Sequence, residues 1–347
     1  MTPLPDNDAL GITPLQREAF AALALPRGRA GRVVGEAKGE YRVWADGVEH
    51  AAACASKLSG RAAGRGELPA VGDWVALDAS DAAAPRVVAL LPRATKFSRK
   101  AAGHRDDEQV VAANVNVALI SAGLDGDFNL RRLERYLAVA WESGATPAVL
   151  LTKCDLADDL AARVAEARSV AGRAAVIATS ARTGEGVAAV RALLAPRVTV
   201  AFMGSSGVGK STLANALLER DAQRTQDVRE HDQRGRHTTT HRELFVLPSG
   251  ALLIDTPGMR ELQLWDVSRG LDAAFEDVAG LVARCRFSDC GHGAEPGCAV
   301  REALASGALD GARYASWQKL SEEAARVREM RAAKARAATR GRPPRDR

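Results

Sequence analysis

Eight consecutive residues, Gly204-Ser205-Ser206-Gly207-Val208-Gly209-Lys210-Ser211, follow the pattern G-x-x-x-x-G-K-S. Glycines let a loop turn tightly and aim its N–H groups inward, which suits a polyphosphate. In this pattern the lysine reaches the terminal phosphates and the final hydroxyl takes Mg²⁺, with Thr212 following it. The apolar run Val198–Met203 reads as a buried strand and Ser211–Glu219 as a helix start. Strand, loop and helix in that order are the context such a loop requires.

Downstream, Asp255-Thr256-Pro257-Gly258 follows a second apolar run, Ala251–Ile254. A carboxylate at a strand end suits Mg²⁺ through water, and Gly258 can offer its N–H to a γ-phosphate. Between these motifs, Gly235-Arg236-His237-Thr238-Thr239-Thr240 reads as a switch loop whose threonine would complete Mg²⁺ coordination. Met259 stands where many GTP-hydrolysing enzymes carry a water-orienting glutamine. A thioether cannot orient water, so His237 is the nearest candidate for that role.

The base-reading parts come before the phosphate loop. Thr152-Lys153-Cys154-Asp155 ends the strand-like run Pro147–Leu151, and Thr179-Ser180-Ala181-Arg182-Thr183-Gly184 follows it. A carboxylate at Asp155 can accept from guanine N1–H and its exocyclic amine. Adenine lacks that donor pair, so one side chain separates the two bases. Thr152 stands where an asparagine is usual, and a hydroxyl replaces only part of an amide's bonding. The parts of a GTPase are therefore present in permuted order. A doubly wound sheet is held by strand pairing and helix burial, so it survives the rejoining of its ends.

Cys285-x4-Cys290-x-His292-x5-Cys298 offers three thiolates and an imidazole within fourteen residues. Three cysteines and one histidine form a common closed zinc set, structural in character. Five cysteines in all, an odd number, argue against a disulfide framework.

These sites need elements to carry them. Five β-like runs, Gly31–Gly35, Glu40–Trp44, Val48–Ala55, Asp73–Asp78 and Arg86–Leu91, suggest a small barrel of OB-fold type. Beyond Val111, strands alternate with helical stretches at Leu130–Trp141, Leu160–Ala171 and Gly186–Leu194, which implies a parallel sheet. Leu271 onward turns helical. The expected division is a flexible leader 1–29, a barrel 30–95, a permuted α/β P-loop domain 96–268, a mainly helical zinc-binding domain 269–325 and a basic tail 326–347. Residues 93–110 read as a basic connector.

Composition adds limits. At 347 residues and 46% hydrophobic, several cores are possible. The start, Met1–Leu10, lacks the basic and apolar character of a signal peptide, and the longest uncharged run, Gln109–Leu124, is too short and polar to span a membrane. A cytoplasmic protein is expected. The net charge of +5 is concentrated in the tail, where nine Lys/Arg from Arg326 to Arg347 face two acidic residues. With Lys57–Gly66 and Lys96–Arg105, it is a candidate nucleic-acid contact.

The joint pattern resembles the circularly permuted, ribosome small-subunit-dependent GTPase A family (RsgA, YjeQ/YloQ-like). The resemblance rests on Phe128–Tyr136, Gly204–Thr212, Gly235–Thr240, Asp255–Gly258 and Phe287–Val300, and runs from about Gly31 to Tyr314. It implies an N-terminal OB-fold, a central GTPase domain, a C-terminal zinc domain, and a monomer acting with Mg²⁺ and GTP. It implies late maturation of the small ribosomal subunit, contact with its rRNA, and hydrolysis stimulated by that subunit. It also implies a catalytic role for His237. The contrasting reading is an RNA-binding module with a degenerate, purely structural nucleotide pocket. Intact Lys210, Ser211, Asp255 and Asp155 speak against it.

Overall fold

The computed structural model describes residues 4–37, 39–81, 84–100, 108–126, 128–219, 242–255 and 268–340. His237, Thr238, Thr239, Thr240, Gly258 and Met259 lie outside them. The expectation of a flexible leader needs correction. Helix α1 (Pro14–Ala21) opens with a capping box, Thr13 and Gln16 each satisfying the other's backbone N–H. Leu10 is wholly buried, and the Gln16 amide donates to Pro92 O (3.1 Å) and Asn114 Oδ1 (3.2 Å). The leader is part of the core because the Leu10 side chain and the Gln16 amide both find partners there.

Strands β1 (Gly28–Ala37), β2 (Glu40–Ala45), β3 (Val48–Cys54), β4 (Trp74–Asp78) and β5 (Arg86–Leu90) close a barrel in the order β1-β2-β3-β5-β4-β1. Helix α2 (Ser56–Arg61) follows β3. Alternation sends Val33, Tyr41, Val43, Val75, Leu77 and Val87 into the barrel. On β1 the opposite face carries Arg32 and Val34, both buried. A bulge between Val33 and Gly35 bends β1 so that one strand serves three partners.

Arg32 is the joint of this face. Its guanidinium donates to Leu10 O (2.5 Å), Gly72 O (3.3 Å), Asn114 O (3.2 Å) and Thr199 Oγ1 (2.8 Å). Burial pushes it down to about 9, with the charge of Asp73 partly opposing. Asp73 itself is gripped by Arg93, Nε at 2.8 Å and Nη2 at 2.7 Å.

The basic connector is in fact a hairpin, β6 (Lys96–Lys100) against β7 (Glu108–Ala113). Only Phe97 of β6 is buried, so the strand carries no apolar alternation to announce it. A parallel sheet follows: β8 (Val117–Gly123), α3 (Leu130–Ser143), β9 (Thr146–Thr152), α4 (Leu160–Ala171), β10 (Ala175–Thr179), α5 (Val187–Ala192), β11 (Thr199–Met203) and α6 (Lys210–Leu217). Next come β12 (Arg242–Val246) and β13 (Leu252–Asp255). The order is β10-β9-β8-β11-β13-β12, with only β12 antiparallel. One face packs on α3 and α4 and the other on α5 and α6, through Leu119, Leu150, Val190 and Leu213. β12 then pairs with β1, Gly35 opposite Glu243 and Glu36 opposite Arg242. Barrel and nucleotide domain thus share one continuous sheet.

Among the described residues, helices α7 (Ser268–Ala274), α8 (Glu276–Val282), α9 (Ala299–Ala305) and α10 (Gly311–Arg340) follow, and α10 runs unbroken past residue 325 into the basic tail. They clamp α3. A Cβ on Gly270 would stand 2.1 Å from Ala138 O, so α7 meets α3 backbone to backbone. Arg313 bonds Glu134 (3.1 Å), both oxygens of Asp277 (2.6 and 2.7 Å) and Ala274 O (3.0 Å), and lies over the Phe275 ring. Arg135 makes a two-pronged contact with Glu323 (3.0 and 2.6 Å).

Candidate nucleotide-binding site and metal centre

The phosphate loop leaves the buried strand β11 and enters α6. Gly204, Gly207 and Gly209 all have positive φ. At Gly204 the requirement is also steric, since a Cβ would lie 2.4 Å from Ser121 O on the neighbouring strand. The Lys210 ammonium folds back over the loop, donating to Gly204 O (2.8 Å) and to Ser205 O. α6 has no side-chain cap, so its first N–H groups face the loop's concavity. Ser205, Ser206, Val208 and Ser211 lie within this turn and first helical residue pair. Asp255 is exposed at the end of β13, beside β11.

The base-reading segments meet because β9 and β10 are adjacent and in register, Thr152 opposite Thr179. Lys153 takes a left-handed conformation (φ 57°), and a single 3-10 turn, Cys154–Leu156, then presents Asp155. Cys154 is 4% exposed, so its side chain belongs to the core. Burial pushes its thiol up to about 11. Hydrogen bonds from Ser180 and then Arg182 hold the Asp155 carboxyl below the usual carboxylate range. Arg182 Nε and Nη2 sit 3.0 and 2.6 Å from Asp155 Oδ2. The Thr179–Gly184 loop is fixed by Ser180 N–H donating to Glu185 O and Gly184 N–H to Ser180 O, each at 2.9 Å.

Thr152, Lys153, Asp155, Ser180 and Ala181 line a cavity of about 270 Å³ together with Gly209 and Thr212. The base-reading turn and the start of the phosphate-side helix therefore open into one space. Two contributors were not evident from sequence. Asp125, just after β8, pairs with the Lys153 ammonium and holds its stem along Gly209. Arg182 holds Asp155. Both partnerships cross the sheet's loop ends and leave no local spacing signal.

The ligand atoms of Cys285, Cys290, His292 and Cys298 all lie within 4.8 Å of one another and could hold a metal ion. His292 reaches this position with φ at 59°. Glu295 braces the turn, accepting from Gly291 N–H (2.9 Å) and Gly293 N–H (2.7 Å). Cys298 also caps α9, accepting from Arg301 N–H at 3.5 Å. Tyr314 and Trp317 of α10 meet the imidazole edge to face. The His292 N–H favours a Cys290 thiolate, but burial and the neighbouring Cys298 and Cys285 sulfurs win and push that thiol up to about 11. A cation among these groups reverses that balance.

A five-stranded barrel, a P-loop sheet with its base-reading segments ahead of its phosphate loop, and a helical Cys/His region together define a circularly permuted GTPase architecture. The sequence model described as RsgA GTPase matches residues 90–265, and the chain belongs to that family. A small ribosomal subunit biogenesis GTPase RsgA of Opitutus terrae is 51% identical over 287 residues, 80% of this chain and 78% of the relative. The protein of Lactiplantibacillus plantarum described as RsgA 2 is 45% identical over 293 residues, 84% and 82% of the two chains. Among solved structures, YjeQ from Thermotoga maritima superposes with a TM-score of 0.65 at 24% identity, covering 86% of this chain and 98% of that one. YloQ, described as a circularly permuted GTPase, gives 0.61 at 22%, covering 86% and 96%. These two likenesses speak to the fold.

Among the described residues, no helix is long and apolar enough to cross a membrane.

Proposed function

We propose that this chain binds and hydrolyses GTP as a cytoplasmic, monomeric factor in biogenesis of the small ribosomal subunit, contacting that subunit's rRNA. The observation that carries the enzymatic part is the shared cavity. Asp155 and Ser180 line one side of it, Gly209 and Thr212 the other. A base recognised by Asp155 would leave its phosphates directed at Gly204–Lys210, with Ser180 and Ala181 closing the base edge. Lys210 would exchange its loop carbonyls for phosphate oxygens. Ser211 and Asp255 would hold Mg²⁺, which neutralises charge on the phosphates. Gly258 would donate to the γ-phosphate and His237 would orient the attacking water. The ribosomal part is supported by the descriptions of the relatives.

The metal we assign to the Cys/His cluster is a single structural zinc ion. A tetrahedral site with its usual bond lengths of about 2.3 Å to sulfur and 2.0–2.1 Å to nitrogen has sulfur–nitrogen edges of about 3.6 Å. His292 Nδ1 lies 3.6 Å from both Cys285 Sγ and Cys298 Sγ.

The deciding experiment is GTP turnover by the full chain, with and without purified small subunits, for the wild type and His237→Ala. Subunit-stimulated turnover that falls by about 10²–10⁴-fold in the variant, with GTP affinity retained, is expected. RNA binding without any GTP hydrolysis would instead favour the structural-pocket reading.

A further inference from the structure

A carboxylate offers about four lone-pair sites, and at Asp155 the protein's own donors claim them. Arg182 Nε and Nη2 both donate to Oδ2, at 3.0 and 2.6 Å. Ser180 Oγ accepts from Thr183 N–H (3.2 Å), and its single hydrogen goes to the Asp155 carboxyl. The backbone N–H of Asp155 supplies a further donor. A guanine base needs two of the same sites, one for N1–H and one for its exocyclic amine. Its N1–C2–N2 unit is itself a guanidine, with two donors side by side as in Nε–Cζ–Nη2 of arginine.

One of these donors can yield and the others cannot. Ser180 is buried, and its loop is closed by its N–H donating to Glu185 O and by Gly184 N–H donating to its carbonyl. The Arg182 side chain is 73% exposed, and among the described contacts it bonds only Asp155. It also lines the cavity that Asp155 and Ser180 border. Its departure is a rotamer change in an exposed side chain, a fast event that needs no movement of the loop.

We propose that Arg182 is a built-in competitor for the base: its guanidinium holds the acceptors that the guanine edge requires, and it must leave Asp155 for guanine to seat. This deepens the GTP-binding reading above and rests on it. Such a competitor lowers apparent affinity by the fraction of time that Asp155 is free. Arg182 thereby sets the concentration at which the site fills with guanine nucleotide. Adenine presents no donor to Asp155, so adenine nucleotides escape the competition. A side chain that merely braced Asp155 would act in the opposite sense, because its loss would let the carboxylate tilt and weaken guanine binding.

The test compares the full chain as wild type, R182M and R182K, with GDP and ADP as probes. Affinities are read by titration calorimetry and rates by stopped flow, across a salt series. R182M should bind GDP roughly threefold to fivefold more tightly, the range an exposed ion pair supplies. The gain should lie in faster association, with dissociation unchanged. R182K keeps the charge without the paired donors and should fall between the two. The gap between wild type and R182M should narrow as salt screens the ion pair. ADP affinity should stay near that of the wild type in both variants, which also reports that the site remains folded. Weaker or unchanged GDP binding by R182M and R182K overturns the proposal and leaves Arg182 as a brace or a bystander. Equal tightening of GDP and ADP overturns it too, since the effect would then be one of general charge. A wild type that binds ADP as tightly as GDP fails the base reading at Asp155, and the competitor falls with it; that failure is seen without any variant, so the two are distinguishable.

Discussion

The Thr152 hydroxyl donates to the carbonyl of Val208 at 2.5 Å, bolting the base-reading turn to the phosphate loop. Ala122 O lies 3.2 Å away on the other side. A hydroxyl has one hydrogen, and here it is used on the loop rather than offered to a base. Thr152→Val should leave a buried carbonyl unpaired, a cost of about 1–3 kcal/mol. GDP affinity should fall roughly tenfold or more, while Thr152→Ser should retain it. Calorimetric titration of the three proteins decides; equal affinities would remove Thr152 from the site's architecture.

In the proposed pose Asp155 sets base identity. Asp155→Asn should weaken GTP and favour xanthosine triphosphate, whose 2-oxo group calls for a donor. Competition among GTP, xanthosine triphosphate and ATP measures this. A wild type that binds ATP as well as GTP would sink the assignment.

Much of this site was legible in the chain. The phosphate loop, both base-reading turns and the Cys/His spacing are local patterns, and each is local because its geometry is made within a few residues. The barrel strands were legible through alternation, to within a few residues at Gly28–Ala37 and Val48–Cys54. The β6–β7 hairpin was not, because Lys96-Phe97-Ser98-Arg99-Lys100 buries one side chain and its stability comes from cross-strand bonding. Nor was α1, a short helix anchored by long-range bonds from Gln16. Asp125 and Arg182 gain their roles only when distant loop ends are brought together.

The metal centre should be inseparable from local folding. Cys290→Ala should lose the bound metal, read by elemental analysis, and speed hydrogen exchange across residues 280–315, since binding and folding are coupled in such small sites. A variant that keeps wild-type protection without metal would contradict a structural role.

The clamp on α3 depends on Arg313, because Glu134 is wholly buried. Arg313→Met should destabilise the fold by about 3–5 kcal/mol, the usual cost of stranding a buried charge. Denaturant unfolding measures it. A loss under about 1 kcal/mol would mean that Arg131, 2.7 Å from Glu134, suffices alone.

Acid should loosen the same clamp. Burial works against the Asp277 carboxylate, but Arg313 wins and holds it below its ordinary 3.8. A depressed folded value means the unfolded chain takes up the proton first. The contribution is therefore present above pH 3.8 and is lost as pH falls through the lowered value. Asp277→Asn should flatten that part of the melting-temperature profile. An unchanged profile would assign acid sensitivity elsewhere.

The buried guanidinium of Arg32 also limits how this molecule can be taken apart. Its four acceptors come from the entry segment, the barrel, the segment after the hairpin and the first residue of β11. Excising the barrel would strand a cation in one fragment and unmet acceptors in the other. The three regions are thus not interchangeable modules on a string. They should melt as one cooperative body, and grafting a relative's barrel onto this chain should succeed only when all four acceptors travel with the arginine.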